Sequence, residues 1–254
     1  LFSRTSLRRL LSACAVFLLP QVSASLDAAE LDPHHEKSSD PYFAARRAMI
    51  ERDLKGRGVT DPRVLAAMDA VPRHLFVPEG QRAAAYDDRP LPIGEGQTIS
   101  QPYVVAVMAQ LLELNGTERI LEIGTGSGYH AAVLARLAAE VYSVEILGSL
   151  STRAKKLLDR LGIINVKLKI GDGFFGWDEK APFDAILMTA AAPRVPEPLW
   201  RQLREGGRLI MPLGAAGQTQ RLVRIRKVAD KQVIEALSEV IFVPLTGAIQ
   251  KAPR

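Results

Sequence analysis

Ile120-Leu121-Glu122-Ile123-Gly124-Thr125-Gly126-Ser127-Gly128-Tyr129-His130 is the stretch that decides the fold. Four residues of strand character run straight into three glycines spaced two apart, and a helical pattern over residues 130–139 follows. Glycine lets the backbone turn sharply at a strand end and lie close against a ligand, because no Cβ stands in the way. A dinucleotide fingerprint needs Gly-x-Gly-x-x-Gly, but here the third glycine comes one position early and Tyr129 occupies the place of the last. The loop therefore suits a nucleoside cofactor without a pyrophosphate.

Working outward, the apolar runs Val141–Glu145, Val166–Ile170, Ala185–Met188 and Arg208–Met211 alternate with helical patterns over Leu150–Leu161 and Pro198–Leu203. Strand and helix in alternation predict a doubly wound α/β fold with a mostly parallel sheet covered on both faces. At the end, Leu222–Val228 and Val233–Val243 flank Asp230-Lys231-Gln232, which leaves no room for a crossover helix and predicts a closing antiparallel hairpin. Upstream, a helix is expected over Tyr103–Leu114, and an N-terminal helical subdomain over residues 40–102. Within that subdomain Asp40–Leu54 has helical spacing, and Asp61-Pro62 supplies an N-cap and an N1 proline. Seven prolines and glycines between Val71 and Pro102 read as a long ordered loop, and long loops inside compact domains are usually functional. Residues 103–254 form the cofactor-binding domain.

The 254 residues are 47% hydrophobic and 24% charged, which excludes a disordered chain. One cysteine, Cys14, excludes an intrachain disulfide and a thiolate zinc cluster, so the chemistry is expected to be metal-free. A net charge of +5 is too small to be a nucleic-acid signature. Residues 1–39 read as a signal-like segment and linker: Arg4, Arg8 and Arg9, an apolar run over Leu10–Leu19, and Val22-Ser23-Ala24 as a small-residue cleavage site. The run falls short of the roughly 20 apolar residues that span a bilayer, and no stable membrane association is expected.

Two further carboxylates fall at strand ends. Glu145 closes the second strand, 21 residues past Gly124, where it can accept both hydroxyls of a ribose. Asp172, within Gly171-Asp172-Gly173, sits at the end of the third strand, beside the expected position of an adenine. With Gly124, Gly126 and Gly128 before them, these residues point to S-adenosylmethionine, which has a ribose and an adenine but no phosphate. Glu122 is expected to meet that cofactor's ammonium. The bland alternative makes the glycines a tight turn and the acids strand caps. Three elements in register on successive strands weigh against it.

These residues resemble the protein-L-isoaspartate O-methyltransferase family, over about residues 40–246. Its most specific pieces are Ala70-Val71-Pro72-Arg73 with Phe76-Val77-Pro78, Gly96-Gln97-Thr98-Ile99-Ser100-Gln101-Pro102, the glycine loop with its strand, and Val243-Pro244-Leu245-Thr246. The resemblance implies a Rossmann-like methyltransferase sheet and S-adenosylmethionine as methyl donor. It implies isoaspartyl-containing peptides and proteins as substrates, without nucleic acid. A monomer is expected, in the cytoplasm where the donor is made. A working signal over residues 1–24 would instead place the protein in the periplasm or outside the cell. The resemblance puts Ser100 at the active-site serine, which would bind and orient the acceptor carboxyl. Gln97, Thr98 and Ile99 line the pocket, Glu122, Glu145, Asp172 and Gly173 hold the cofactor, and Thr246 lines the substrate site. On sequence alone Ser100 reads as an ordinary loop hydroxyl or as a cap for the following helix.

An isoaspartyl carboxyl is ionised at neutral pH, so its methylation needs no strong general base. A basic surface including Arg201, Arg204, Arg221, Arg224, Arg226 and Lys227 reads either as an attraction for peptides carrying extra carboxylates or, more commonly for such a cluster, as a solvated face. A nucleic-acid base methyltransferase would show an Asn/Asp-Pro-Pro-aromatic tetrad where this chain has Met188-Thr189-Ala190-Ala191-Ala192-Pro193. The remaining rivals are a non-catalytic cofactor-binding protein that docks on partners and a methyltransferase for another acceptor.

Overall fold

The computed structural model describes residues 40–215 and 217–250, so the signal-like segment and linker lie outside the described residues. The chain enters at Asp40 as α1 (Phe43–Ala48), widens into a π-type turn over Met49–Leu54, and stops after a 3-10 turn at Gly58, whose φ is +90°. In α2 (Pro62–Ala70) the Asp61 carboxylate accepts the N–H groups of Arg63 and Val64, a cap worth about 1 kcal/mol.

The expected long loop over Val71–Pro102 is structured. It holds 3-10 turns at Arg73–Phe76 and Glu79–Ala84, and then an antiparallel hairpin of β1 (Leu91–Gly94) and β2 (Gln97–Ile99). The reversal runs through Glu95 and Gly96, with φ of +55° and +67°. Leu91, Ile93 and Ile99 are buried, an alternation that Pro92 and the flanking glycines mask in the sequence.

The main body follows as α3 (Pro102–Leu111), β3 (Arg119–Ile123), α4 (Tyr129–Leu134), β4 (Glu140–Glu145), α5 (Gly148–Arg160) and β5 (Val166–Ile170). After these come β6 (Phe183–Met188), α6 (Glu197–Gln202), β7 (Leu203–Leu213), β8 (Gln220–Val228) and β9 (Lys231–Val240). The seven-stranded sheet has the order β5-β4-β3-β6-β7-β8-β9; its first five strands run parallel, and β8 pairs antiparallel with both β7 and β9. α4 ends before the expected Ala139, because the chain tightens through bonds from Arg136 N–H to Val133 and from Leu137 N–H to Leu134 before entering β4. The closing hairpin turns at Ala229 and Asp230, both at positive φ, one residue earlier than expected.

Strand alternation sorts the core into two layers. Ile120, Val141, Leu187 and Ile210 face Met49, Leu54 and Met68 of the N-terminal segment. Leu121, Val144, Met188 and Met211 face Leu199, Trp200 and Leu245 on the other side. Residues from both sides of the expected 102/103 boundary share the first of these layers. Because the chain builds outward from β3 to β5 and then returns to β6, a crevice opens at the carboxyl ends of the central strands. Among the described residues no helix is long and apolar enough to cross a membrane.

Candidate active site

A cleft of about 210 Å³ occupies that crevice. The glycine loop forms its floor. Gly124, at φ +96°, donates its N–H to the Val144 carbonyl at 2.9 Å, and a Cβ there would lie 2.3 Å from Thr189 Oγ1. Gly126 donates its N–H to Glu145 Oε2 at 2.8 Å, while Leu147 N–H reaches Oε1 at 2.9 Å. The loop and the end of β4 are thereby locked together, and each carboxylate oxygen keeps a further lone pair.

Gln97, Thr98, Ile99 and Ser100 line the cleft from β2 and the corner before α3, and Gly173 lines it from the end of β5. Thr246 reaches it because the chain leaves β9 and runs beside Ala191. There Ala191 N–H donates to Val243 at 2.8 Å and Leu245 N–H donates to Ala191 at 2.7 Å. α3 starts at Gln101 without a side-chain capping bond, so Ser100 is not its cap.

Three expected site residues lie elsewhere. Glu122 shares a strand face with Ile120, so it points into the core beneath the loop; it is fully buried and does not line the cleft. Its Oε2 accepts from Ser143 Oγ at 2.5 Å, Ser143 lies 2.6 Å from Thr125 Oγ1, and Oε1 has no partner among the described residues. Burial pushes its pKa up to about 8. Burial thus disfavours its charged form. Gly128, at φ +85°, lets α4 pass α5, since a Cβ there would sit 3.0 Å from Ala154 Cβ. Asp172 fixes backbone: its carboxylate accepts Phe174 N–H at 2.9 Å and Ala248 N–H at 2.7 Å, and so pins the segment that carries Thr246.

Glu95, Thr125, His130 and Thr189 also line the cleft and were not singled out from the sequence. Thr189 follows the fourth parallel strand, a signal that strand-end reasoning could have used. His130 is buried with Nε2 unpartnered among the described residues, and burial pushes its pKa down to about 3. The expected basic surface is largely neutralised: Arg201, Arg204, Arg224, Arg226 and Lys227 pair with Glu197, Asp184, Glu235, Glu113 and Asp230 respectively.

The described cleft lining contains Glu95 and Glu145 but no lysine or arginine. Such a lining fits a cationic sulfonium nucleoside and would repel a pyrophosphate. Fold and cleft together define an S-adenosylmethionine-dependent methyltransferase. The family profile described as protein-L-isoaspartate(D-aspartate) O-methyltransferase matches residues 44–250, and the chain belongs to that family. It is 55% identical over 209 residues to protein-L-isoaspartate O-methyltransferase 2 of Shewanella sediminis, covering 82% of this chain and 86% of the relative. To the corresponding enzyme of Anaeromyxobacter sp. it is 50% identical over 238 residues, 94% of this chain and 97% of the relative. Among solved structures, a protein-L-isoaspartate O-methyltransferase superposes with a TM-score of 0.73 at 33% identity, covering 80% of this chain and 67% of that one. A putative Plasmodium falciparum homologue in complex with S-adenosyl-L-homocysteine gives 0.68 at 28% identity, covering 79% and 98%.

Proposed function

We infer that this chain transfers the methyl group of S-adenosylmethionine to the free carboxyl of L-isoaspartyl residues in damaged proteins and peptides, with Ser100 orienting the acceptor. The observation that carries this reading is that Ser100 and Glu145, 45 positions apart in sequence, line one cleft. Glu145 accepts the two ribose hydroxyls, while Gly124 and Gly126 allow the backbone to approach closely. Gly173 borders the adenine. The donor supplies an electrophilic methyl group on a sulfonium. Gln97, Thr98 and Ile99 close the cleft beside it, and Thr246 faces the peptide.

The Ser100 hydroxyl donates a hydrogen bond to one oxygen of the acceptor carboxylate and leaves the other free for in-line attack. No proton need be removed, so alignment and exclusion of water are the chain's contributions. The β1–β2 hairpin serves that exclusion. Ile93 carbonyl accepts from Arg153 Nη2 at 2.7 Å, and Ser149 Oγ donates to Glu95 at 2.8 Å, fastening the hairpin to α5. Without the enzyme, the neighbouring backbone amide nitrogen attacks the product ester, loses its proton and expels methanol to form a succinimide, which water reopens in part to normal aspartate. The enzyme works as a cytoplasmic monomer, beside its donor and without nucleic acid.

A labelled-donor assay on an isoaspartyl peptide and its normal aspartyl twin tests this reading. Transfer confined to the isoaspartyl peptide supports it, and donor binding without transfer to either favours a docking protein.

A further inference from the structure

His130 stands apart from the residues given roles so far. It is the second residue of α4, lines the cleft, and is 7% exposed. Its Nε2 is buried with no hydrogen-bond partner among the described residues. A histidine that merely fills a core donates or accepts at such a nitrogen, because an orphaned buried polar atom is costly. An unpaired one at a ligand cleft is suited to a partner that arrives with the ligand.

The neighbouring groups locate it. Tyr129, the preceding residue, lies under the Arg73 guanidinium at 4.8 Å, and Arg73 holds the Ser100 carbonyl. The first turn of α4 thus abuts the Ser100 corner, whereas Glu145 and Gly173 mark the nucleoside side. Beyond its nucleoside the donor carries an amino-acid end with a carboxylate, and the described lining offers no lysine or arginine to meet it. Burial pushes the imidazole pKa down to about 3, so before the carboxylate arrives the ring is neutral and carries one N–H.

We propose that a ring N–H of His130 receives the carboxylate of the donor's amino-acid end. This rests on the donor reading above and deepens it. Calorimetric binding of S-adenosylhomocysteine and of methylthioadenosine, which shares the nucleoside but lacks the amino-acid end, separates the two. His130→Leu should bind S-adenosylhomocysteine about ten-fold more weakly, about 1.4 kcal/mol, and methylthioadenosine unchanged. His130→Gln, which keeps an N–H, should recover most of the loss. In wild type, the His130 ring-nitrogen NMR signal should move with S-adenosylhomocysteine and not with methylthioadenosine, a readout that survives poor folding of the variants.

Equal weakening of both ligands, or of neither, overturns the assignment. So does unchanged S-adenosylhomocysteine binding with weaker binding of an isoaspartyl peptide, which would move His130 to the acceptor. Wild-type protein that binds neither nucleoside overturns the donor reading and this proposal with it. Wild-type binding with an unaffected Leu variant overturns this proposal alone.

Discussion

The guanidinium of Arg73 donates from Nη2 to the Ser100 carbonyl at 2.7 Å, and from Nε to the Ala85 carbonyl at the same distance. Arg73 is fully buried, and no carboxylate pairs with it among the described residues. An arginine kept in the core to hold two carbonyls fixes where the corner before α3 lies, and with it the Ser100 hydroxyl. Arg73→Lys keeps the charge but loses the fork that spans both carbonyls. We expect kcat to fall by up to about 10²-fold, the scale of a misplacement of roughly 1 Å. Affinity for S-adenosylhomocysteine should change little. Parallel losses in both, tracking a lowered Tm, would reduce Arg73 to a purely structural group.

Ser100→Ala removes one hydrogen bond to a charged acceptor, worth about 1.5–3 kcal/mol. Turnover on an isoaspartyl peptide should drop by roughly 10–100-fold, while calorimetric binding of S-adenosylhomocysteine stays near wild type. A variant that loses cofactor affinity as steeply as turnover would place Ser100 against the donor.

Glu145→Gln should show the reverse pattern. The carboxylate serves Gly126 N–H on one oxygen and Leu147 N–H on the other, and an amide has only one oxygen to offer. One of the two backbone bonds is lost, the loop loosens, and ribose contacts weaken with it. S-adenosylhomocysteine affinity should fall by about ten-fold or more, the scale of 1.4 kcal/mol, with a smaller loss of kcat at saturating donor. Unchanged affinity would show that the ribose is held elsewhere.

Much of this site was legible because a doubly wound sheet presents its strand ends in one place. Glu145 needs only a strand end and a glycine loop to be located. Spacing gives proximity and not direction: Glu122 precedes the loop as expected, while its alternation with Ile120 turns it toward the core face. Asp172 sits at the expected strand end, where its oxygens accept the N–H groups of Phe174 and Ala248, the latter from a segment 76 residues away that no local pattern could bring to it. The β1–β2 hairpin escaped detection because Pro92 and two glycines mask three buried alternating apolar residues. Ion pairs such as Arg226 with Glu113 depend on which strand neighbours which turn, and so appear only in the fold.

Glu122 also makes stability depend on pH in a defined direction. Its ordinary carboxyl value of 4.5 is pushed up to about 8, first by burial and further by the nearby Glu145 charge, against the Ser143 hydrogen bond. Between those values the native protein keeps a proton that the unfolded chain has released, so stability falls as pH rises from about 4.5 to about 8 and levels off above. His130 acts oppositely: its native value near 3 lies below the ordinary 6.5, so it adds stability as pH rises across that lower window. Comparing wild type with Glu122→Gln cancels the histidine contribution. The amide can still accept from Ser143 and never ionises. Urea unfolding should therefore give similar stabilities at pH 5, with the variant ahead at pH 9 by about 4 kcal/mol. Two profiles that stay parallel from pH 5 to 9 would mean that Glu122 ionises normally in the folded protein, and only its orientation away from the cleft would then speak against contact with the donor's ammonium.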